Sequence, residues 1–328
     1  MTRQEEKTTA LPGLLPTVAA GLDVVTRHLW LVILPIVLDI FYWIGPQLRS
    51  TQLWLTFADF FRQAGAMTEM ADQLTQIAGH TNLFTFLSVP FLGVPGLLSG
   101  IIMPEQTPLQ PPVWEVGDFG SLILLFAVIS FGGLLVSAIF HAFLARAVCQ
   151  QRPQPCQMVT APGQSPWISV VRRLPVYCLR VLGLALLLLF ILMALYLPLV
   201  LVASILTLLS AAVGSLVMMG GLVLLIWVIF YLSFGLHGIL LRERSVFRAL
   251  LDSTRFVQRN WLSALALFVM VIVVRNLLSW IWLSVDTGSW LTLFSIGGFA
   301  FVNTGLLAAT FVFYRDRIEL QEQGIANE

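Results

Sequence analysis

Residues 181–203 read VLGLALLLLFILMALYLPLVLVA, a run of 23 residues without a charged side chain. About 20 mostly apolar helical residues cover the hydrocarbon core of a bilayer, which is ~30 Å thick. Six apolar stretches of about this length occur along the chain: 28–46, 119–145, 175–203, 214–241, 262–285 and 291–314. They predict an all-α, polytopic transmembrane helical bundle with six spans arranged as three hairpins.

Composition agrees with a membrane protein, because 58% of the 328 residues are hydrophobic and only 11% are charged. Soluble proteins average about 25% charged residues. We expect one membrane domain over residues 28–314, preceded by a cytoplasmic amphipathic lead-in (1–27) and followed by a cytoplasmic tail (315–328). A long external loop, 47–118, is inserted after the first span. A net charge of +1 offers no basic field for nucleic acid, so no nucleic-acid partner is expected.

The basic residues predict the orientation, since arginine and lysine near helix ends are retained in the cytoplasm. Loop 47–118 contains only Arg49 and Arg62. Fifteen of the 18 basic residues lie on the opposite side: Arg3, Lys7, Arg27, Arg146, Arg152, Arg172, Arg173, Arg180, Arg242, Arg244, Arg248, Arg255, Arg259, Arg315 and Arg317. Both termini should therefore be cytoplasmic. Arginine outnumbers lysine 17 to 1, which we interpret as codon composition, and we expect a bacterial cell (inner) membrane.

Residues 82–103 form an apolar stretch that we do not count as a seventh span. Pro90, Gly93, Pro95 and Gly96 interrupt it, and such residues break helical hydrogen bonding. A crossing here would also invert every later loop and place the arginines outside. A re-entrant hairpin and an interfacial hairpin are both open interpretations. Just before it, residues 53–77 have the apolar spacing of one amphipathic helix, which should lie flat on the outer face.

Short basic segments precede the first, third and fifth spans, and each has the form apolar, Val, any residue, Arg. They read VVTR at 24–27, VVRR at 170–173 and FVQR at 256–259. We expect interfacial amphipathic elbow helices there.

The last elbow has an apolar face opposite a charged one. Its charged residues are Arg248, Asp252, Arg255 and Arg259. The helical spacing predicts that Asp252 pairs with Arg248 and Arg255. Arg248, Arg255 and Arg259 would then attract anionic headgroups at the cytoplasmic face of the lipid bilayer, by about 1 kcal/mol per basic residue. Docking of a membrane-protein partner is the alternative.

Several motifs resemble those of uncharacterised bacterial multi-pass membrane proteins. They are LPIVLD at 34–39, WIGP at 43–46, GVPGLL at 93–98 and the elbow at 249–261. More remotely, the pattern of spans and elbows is similar to the membrane domain fused to some glycerophosphodiester phosphodiesterases. The resemblance implies a six-helix bundle of unknown function. It carries over no catalytic residue, because the phosphodiesterase chemistry belongs to a separate soluble domain.

Four polar residues inside the spans form a candidate intramembrane polar cluster: Asp39, Arg275, Asn276 and Asn303. Ionisable groups in hydrocarbon are costly and usually face the interior of a bundle. The cluster is either an ion pair that fixes helix packing or part of a substrate or proton pathway. His141 and His237 are interpreted as interfacial residues, since two histidines without a third ligand make no zinc site.

Signatures of enzymes are missing from the sequence. It has no His-Glu-x-x-His, Gly-x-Ser-x-Gly or Gly-x-x-x-x-Gly-Lys motif. Cys149, Cys156 and Cys178 have no Cys-x-x-Cys spacing and are predicted to be free thiols in a reducing compartment. We therefore expect no catalytic residue, cofactor or metal.

Three functions remain open at this point. The favoured one is a non-enzymatic scaffold or accessory subunit that docks through its elbows and external hairpin, and it predicts that Asp39→Asn is tolerated. The second is a transporter or permease-like protein for a small solute or lipid, which requires a water-accessible cavity near Asp39, Arg275 and Asn303. The third, and least favoured, is an intramembrane enzyme.

Overall fold

The fold is a bundle of long helices with a small layer of short elements at one end. The computed structural model of the chain describes residues 13–63, 68–79, 81–89, 92–99, 107–152, 156 and 166–326. Its α-helices are α1 Leu14–Arg27, α2 Ile33–Ile44, α3 Thr51–Gln63, α4 Thr68–Ala78, α5 Phe119–Gln151, α6 Pro166–Leu209, α7 Ala211–Leu232, α8 Gly235–Arg242, α9 Val246–Arg259, α10 Trp261–Leu283 and α11 Thr292–Ala326. Short 3-10 helices cover Leu29–Val32 and Leu83–Leu87, and strands β1 Gln47–Arg49 and β2 Val113–Glu115 form one sheet.

Within the described residues, five helical segments are long and apolar enough to cross a membrane. They are Phe119–Gln151, Trp167–Leu209, Ala211–Arg242, Trp261–Leu283 and Thr292–Leu320. Each contains most of one predicted apolar stretch, from the second to the sixth. The chain is therefore an all-α protein with the helices of a multi-pass membrane protein.

The first apolar stretch has a different form from the other five. Helix α2 has 12 residues, so it is about 18 Å long at 1.5 Å per residue and shorter than a hydrocarbon core. It continues the 3-10 turn at Leu29–Val32, and this unit is bent by 94° from α1. The backbone leaves the helical region at His28, where φ is −133°. Only the bent pair taken together gives a sixth candidate span.

Helix α1 lies within the predicted amphipathic lead-in. Thr17, Gly21, Val24 and Val25 are buried, whereas Leu15 is 76% exposed. A Cβ placed on Gly21 would lie 2.5 Å from the carbonyl oxygen of Gly305 in α11. Two glycines thus let α1 pack directly on α11, as small residues do between membrane helices.

The elbow predicted before the third span is not a separate helix, and this prediction is wrong. Residues 170–173 lie within α6, which runs through 44 residues and includes Pro175. Pro175 is the tenth residue of α6, so its missing N–H leaves the carbonyl oxygen of Val171 without its intrahelical donor, a loss that membrane helices tolerate. Basic residues and the following proline therefore do not end the helix here.

The long loop begins and ends in the β-sheet, where β1 pairs in parallel with β2 and Leu48 lies opposite Trp114. Two helices, α3 and α4, replace the single amphipathic helix predicted over 53–77. They contact each other through Arg62 of α3, whose Nη2 lies 3.1 Å from a carboxylate oxygen of Asp72 in α4. The prediction was wrong about continuity, because an apolar spacing does not show whether two segments share one helix axis.

The arginine-bearing helix ends meet at the opposite end of the bundle, which we call the arginine-rich end. Arg315 of α11 donates from Nη1 to the carbonyl oxygen of Val148 in α5 at 2.7 Å. Arg180 of α6 donates to the carbonyl oxygen of Glu243 at 2.7 Å, and Arg173 pairs with the carboxylate of Glu243. The residues that predicted one side of the membrane are thus brought together.

A disulfide joins Cys149 and Cys156 at the arginine-rich end, so the prediction of three free thiols is wrong for this pair. Their Cα atoms are 6.0 Å apart, a distance that a disulfide spans. Cys178 is a free cysteine. Without a recognised spacing, the sequence alone did not indicate which cysteines would meet.

We expect the purified, denatured protein to react with one maleimide per chain before reduction and with three after it, because the disulfide protects two of the three cysteines. Intact-protein mass spectrometry measures the number. Three additions before reduction would show that Cys149 and Cys156 are not bonded.

Candidate functional site

A buried segment, residues 82–89 and 92–99, enters the bundle between α2 and α5. None of these residues is exposed. The carboxylate of Asp39 in α2 accepts hydrogen bonds from the backbone N–H groups of Leu97 and Leu98, both at 2.8 Å. A Cβ on Gly96 would lie 2.7 Å from Oδ1 of Asp39, so only glycine permits this approach. Asp39 therefore anchors the buried segment.

Two further contacts hold the other part of the buried segment. The hydroxyl of Ser137 in α5 donates to the carbonyl oxygen of Leu92, and the hydroxyls of Tyr42 and Ser88 are hydrogen-bonded at 3.0 Å. Ser137 lies 18 residues after Phe119, which places it about 27 Å along α5 at helical rise. The segment thus reaches deep along α5 from the sheet end. This depth favours the re-entrant interpretation over the interfacial one for its described residues.

Gly133 of α5 makes room for the same segment, because a Cβ there would overlap the backbone of Leu87, whose Cα would be 2.7 Å away. The adjacent Gly132 has only the Cδ2 atom of Leu87 near it, at 3.8 Å. We expect Gly133→Ala to lower the free energy of unfolding by about 1–3 kcal/mol through overpacking. Gly132→Ala should have little effect.

Thermal unfolding of the two purified variants in the same detergent tests this difference. Equal midpoints for Gly133→Ala and Gly132→Ala would mean that the buried segment does not pack against α5 at Gly133.

A cavity of about 550 Å³ lies behind the buried segment, between it, α10 and α11. Its three walls are the buried segment, α10 and α11, and His141 of α5 also lines it. The lining residues on the helices are His141, Val271, Ile272, Arg275, Asn276, Ser279, Asn303, Leu306, Leu307 and Thr310. This volume is within the range of small-molecule sites, about 300–1,000 Å³.

Three of the four predicted cluster residues line the cavity, namely Arg275, Asn276 and Asn303. Among the lining residues that the structure describes, Arg275 alone has a permanent charge, and it and Asn276 are exposed. Asn303 is buried and donates from Nδ2 to the carbonyl oxygen of Phe299 at 3.1 Å, which leaves its amide oxygen available. The cavity thus presents a cation and two amides among apolar walls.

Asp39 is not part of the cavity lining, and it lies behind Gly96 and Leu97. It is close enough to Arg275 for their charges to attract. Both of its oxygens are nevertheless occupied by backbone N–H groups. Within the part of the chain that the structure describes, Arg275 forms no ion pair with it and its guanidinium has no hydrogen-bond acceptor. The expected Asp39–Arg275 ion pair is replaced by a longer-range attraction.

Ser279 and Thr310, which the sequence did not single out, also line the site, and so does His141. His237 contacts Thr310, since its Nε2 lies 2.9 Å from the threonine hydroxyl. The Thr310 hydroxyl donates to the carbonyl oxygen of Leu307, so its oxygen accepts a hydrogen bond from Nε2–H of His237. Arg275 and Ser279 are four residues apart on one helix, and this spacing of polar residues could have indicated a shared face.

His141 and His237 are buried, 1% and 6% exposed, and their interpretation as interfacial residues is wrong. Both imidazole rings lie near the ring of Phe311, with ring-centroid distances of 6.2 Å for His141 and 4.1 Å for His237. Polar residues near the end of an apolar stretch can face inward as well as outward, and hydropathy does not separate the two. Among the described residues, no group of three or more His, Cys, Asp or Glu side chains could hold a metal ion.

Helix α9 carries the three arginines of the predicted headgroup-binding elbow, Arg248, Arg255 and Arg259, and all three are exposed. The expected pairing of Asp252 with Arg248 and Arg255 is not found. Asp252 instead contacts Arg244, with an N–O distance of 3.5 Å. Ion pairs between neighbouring turns are weak, about 0.2–0.5 kcal/mol, so an arginine from the preceding loop displaces them.

Comparison with known protein families, with curated proteins and with solved structures finds no match to this chain. The resemblance to the membrane domain fused to some glycerophosphodiester phosphodiesterases therefore stays a prediction. The arguments about function rest on the cavity and its residues.

We expect Asp39→Asn to destabilise the protein by about 1–3 kcal/mol, because the new amide group would face a backbone donor that is left without an acceptor. The apparent melting temperature in detergent measures this loss. Asp59→Asn, at an exposed position in α3, is the control. An unchanged midpoint for Asp39→Asn would contradict the anchor and support the tolerance that the scaffold hypothesis predicts.

Proposed function

We propose that the protein is a transporter or permease-like membrane protein and that its cavity binds a small molecule with an anionic group. The observation that carries this proposal is the exposed Arg275 guanidinium, without an acceptor among the described residues, in a cavity of about 550 Å³. A cation without a partner is costly at membrane depth. A carboxylate, phosphate or sulfate group of a bound molecule would supply the missing acceptors.

The remaining lining residues suggest the rest of such a molecule. Val271, Ile272, Leu306 and Leu307 offer apolar contacts beside the polar groups. We therefore propose an amphipathic anion, either a small solute or a lipid, with its charged group at Arg275. The amides of Asn276 and Asn303 would orient that group.

The irregular backbone beside the cavity also supports a transport function. Non-helical backbone at membrane depth is tolerated where it is buried in protein or lines a cavity, and transporters place binding sites at such interruptions. The buried segment has this form next to Arg275. We infer six crossings, with α1 and α2 forming the first as a bent pair. The arginine distribution supports a cytoplasmic position for the arginine-rich end and both termini in a bacterial inner membrane, whereas the disulfide at that end requires oxidising conditions to form.

The scaffold or accessory-subunit hypothesis is less well supported by this geometry. It assigned docking partly to the external hairpin, and the described residues of that hairpin are packed inside the bundle. A membrane-protein partner stays a prediction. The expectation that the protein is not an enzyme also stays a prediction.

Water access to the cavity can be tested with single cysteines on α10, because a thiol reacts readily only as a hydrated thiolate. Asn276 lines the cavity, whereas its neighbour Leu277 is 54% exposed on the outer surface of the bundle. In proteoliposomes, and with the three native cysteines replaced by serine, we expect Asn276→Cys to react with a water-soluble maleimide and Leu277→Cys to remain unlabelled. Equal labelling of the two would contradict a hydrated cavity.

Ligand binding can be tested with a panel of alkyl carboxylates, alkyl phosphates and alkyl sulfates. A bound ligand stabilises the folded protein by about 2.7 kcal/mol at 100 times its Kd. We expect at least one compound to raise the melting temperature of the native protein and of Arg172→Gln, an exposed control on α6. The effect should be lost in Arg275→Gln. Stabilisation that survives in Arg275→Gln, or that no compound produces, would refute the anion site.

A further inference from the structure

A second and smaller cavity, of about 180 Å³, opens at the arginine-rich end, far along the bundle from the buried segment. The end of α8, one face of α9 and the last part of α11 surround it. Its lining residues are Arg242, Asp252, Arg255, Phe256, Arg259, Tyr314 and Ile318. We call it the basic pocket.

The basic pocket has an excess of positive charge. Among its described lining residues three are arginines and one, Asp252, is acidic, and Asp252 already contacts Arg244. Arg255 and Arg259 are exposed and form no ion pair within the described parts of the chain. Two guanidinium groups thus face a concave site without an anion to neutralise them.

The shape of the pocket separates these arginines from the rest of the charged face of α9. Arg248, Asp252, Arg255 and Arg259 follow one another at steps of four, three and four residues, so they lie on one face of the helix. Arg248 nevertheless does not line the pocket. Tyr314 and Ile318 of α11 line the pocket together with Arg255 and Arg259.

Apolar residues beside the pocket indicate that it lies at the surface of the hydrocarbon core. Phe247 and Leu251 of α9 are 71% and 58% exposed, and Trp261, two residues after Arg259, is 51% exposed. Exposed aromatic and aliphatic residues on a basic amphipathic helix are typical of a helix at the boundary between headgroups and acyl chains. The basic pocket would then face the headgroups.

We propose that the basic pocket binds the phosphate group of an anionic phospholipid. The planar guanidinium groups of Arg255 and Arg259 match the oxygens of a phosphate and can each donate two hydrogen bonds. The acyl chains of the lipid remain outside the pocket, along Phe247 and Leu251. A bound lipid would fix α9 at the membrane surface, next to the first turn of α10.

This site is independent of the proposed transport cavity, since the two share no lining residue. It also differs from a general attraction of basic residues to an anionic membrane. A general attraction would depend on Arg248 as much as on Arg255 and Arg259, whereas the basic pocket depends only on the last two.

Native mass spectrometry of the full-length protein, released from detergent with phosphatidylglycerol or phosphatidylcholine, tests the proposal. The pocket variant is Arg255→Gln with Arg259→Gln. The matched control, Arg248→Gln with Arg172→Gln, removes the same charge from exposed positions outside the pocket. We expect retention of phosphatidylglycerol to fall about tenfold in the pocket variant and to stay unchanged in the control.

Several results would overturn the proposal. Equal losses in the two double variants would show a diffuse attraction, and no loss in the pocket variant would show that the lipid binds elsewhere. Retention of phosphatidylcholine equal to that of phosphatidylglycerol would remove the preference for an anionic lipid. Displacement of phosphatidylglycerol from the native protein by millimolar inorganic phosphate would assign the pocket to a soluble phosphate instead. This last experiment uses the unaltered chain and does not depend on how a variant folds.

Discussion

The two hydrogen bonds between the Asp39 carboxylate and the backbone N–H groups of Leu97 and Leu98 are the constraint on which the rest of the site depends. A carboxylate that is 0% exposed is unfavourable unless donors surround it. Irregular backbone inside a bundle is unfavourable unless its polar groups find partners. The backbone N–H groups supply donors to the carboxylate, and the carboxylate supplies acceptors to the backbone. Neither the buried carboxylate nor the irregular backbone would be stable here without the other.

The hydrogen bonds between Asp39 and the buried segment explain why the cavity lining includes Arg275 and not Asp39. The buried segment forms one wall, and Asp39 behind it is fully used in holding that wall. Arg275, on the opposite wall, has a nearby negative charge but no direct partner among the described residues. The same carboxylate therefore helps to hold an arginine within the bundle and leaves its guanidinium available to a ligand. A simple Asp39–Arg275 ion pair would have closed the site.

The sequence predicted most of the long helices and three of the polar residues that α10 and α11 contribute to the cavity. It did not predict that the buried segment forms a wall of the cavity. Hydropathy located the long helices because each apolar stretch contains the residues that cover hydrocarbon, and polar residues within those stretches revealed Asp39 and Arg275. The partners of Asp39 were not predictable, because backbone N–H groups have no residue-specific signal. The prediction of a separate elbow at residues 170–173 was wrong, because a basic segment before Pro175 can belong to one continuous helix. Burial of His141 depends on which face of α5 meets its neighbours, and the apolar stretch is nearly uniform around the helix.

Amide hydrogen exchange at Leu97 and Leu98 tests most directly whether Asp39 holds the buried segment inside the bundle. These two residues lie outside helices and strands, so their N–H groups are protected only by Asp39 and by burial. We expect slow exchange of the peptide that contains them in the native protein, and fast exchange in Asp39→Asn, with the peptides of α5 unchanged. Exchange in the native protein as fast as in an exposed loop would contradict a buried segment and, with it, the cavity that it encloses.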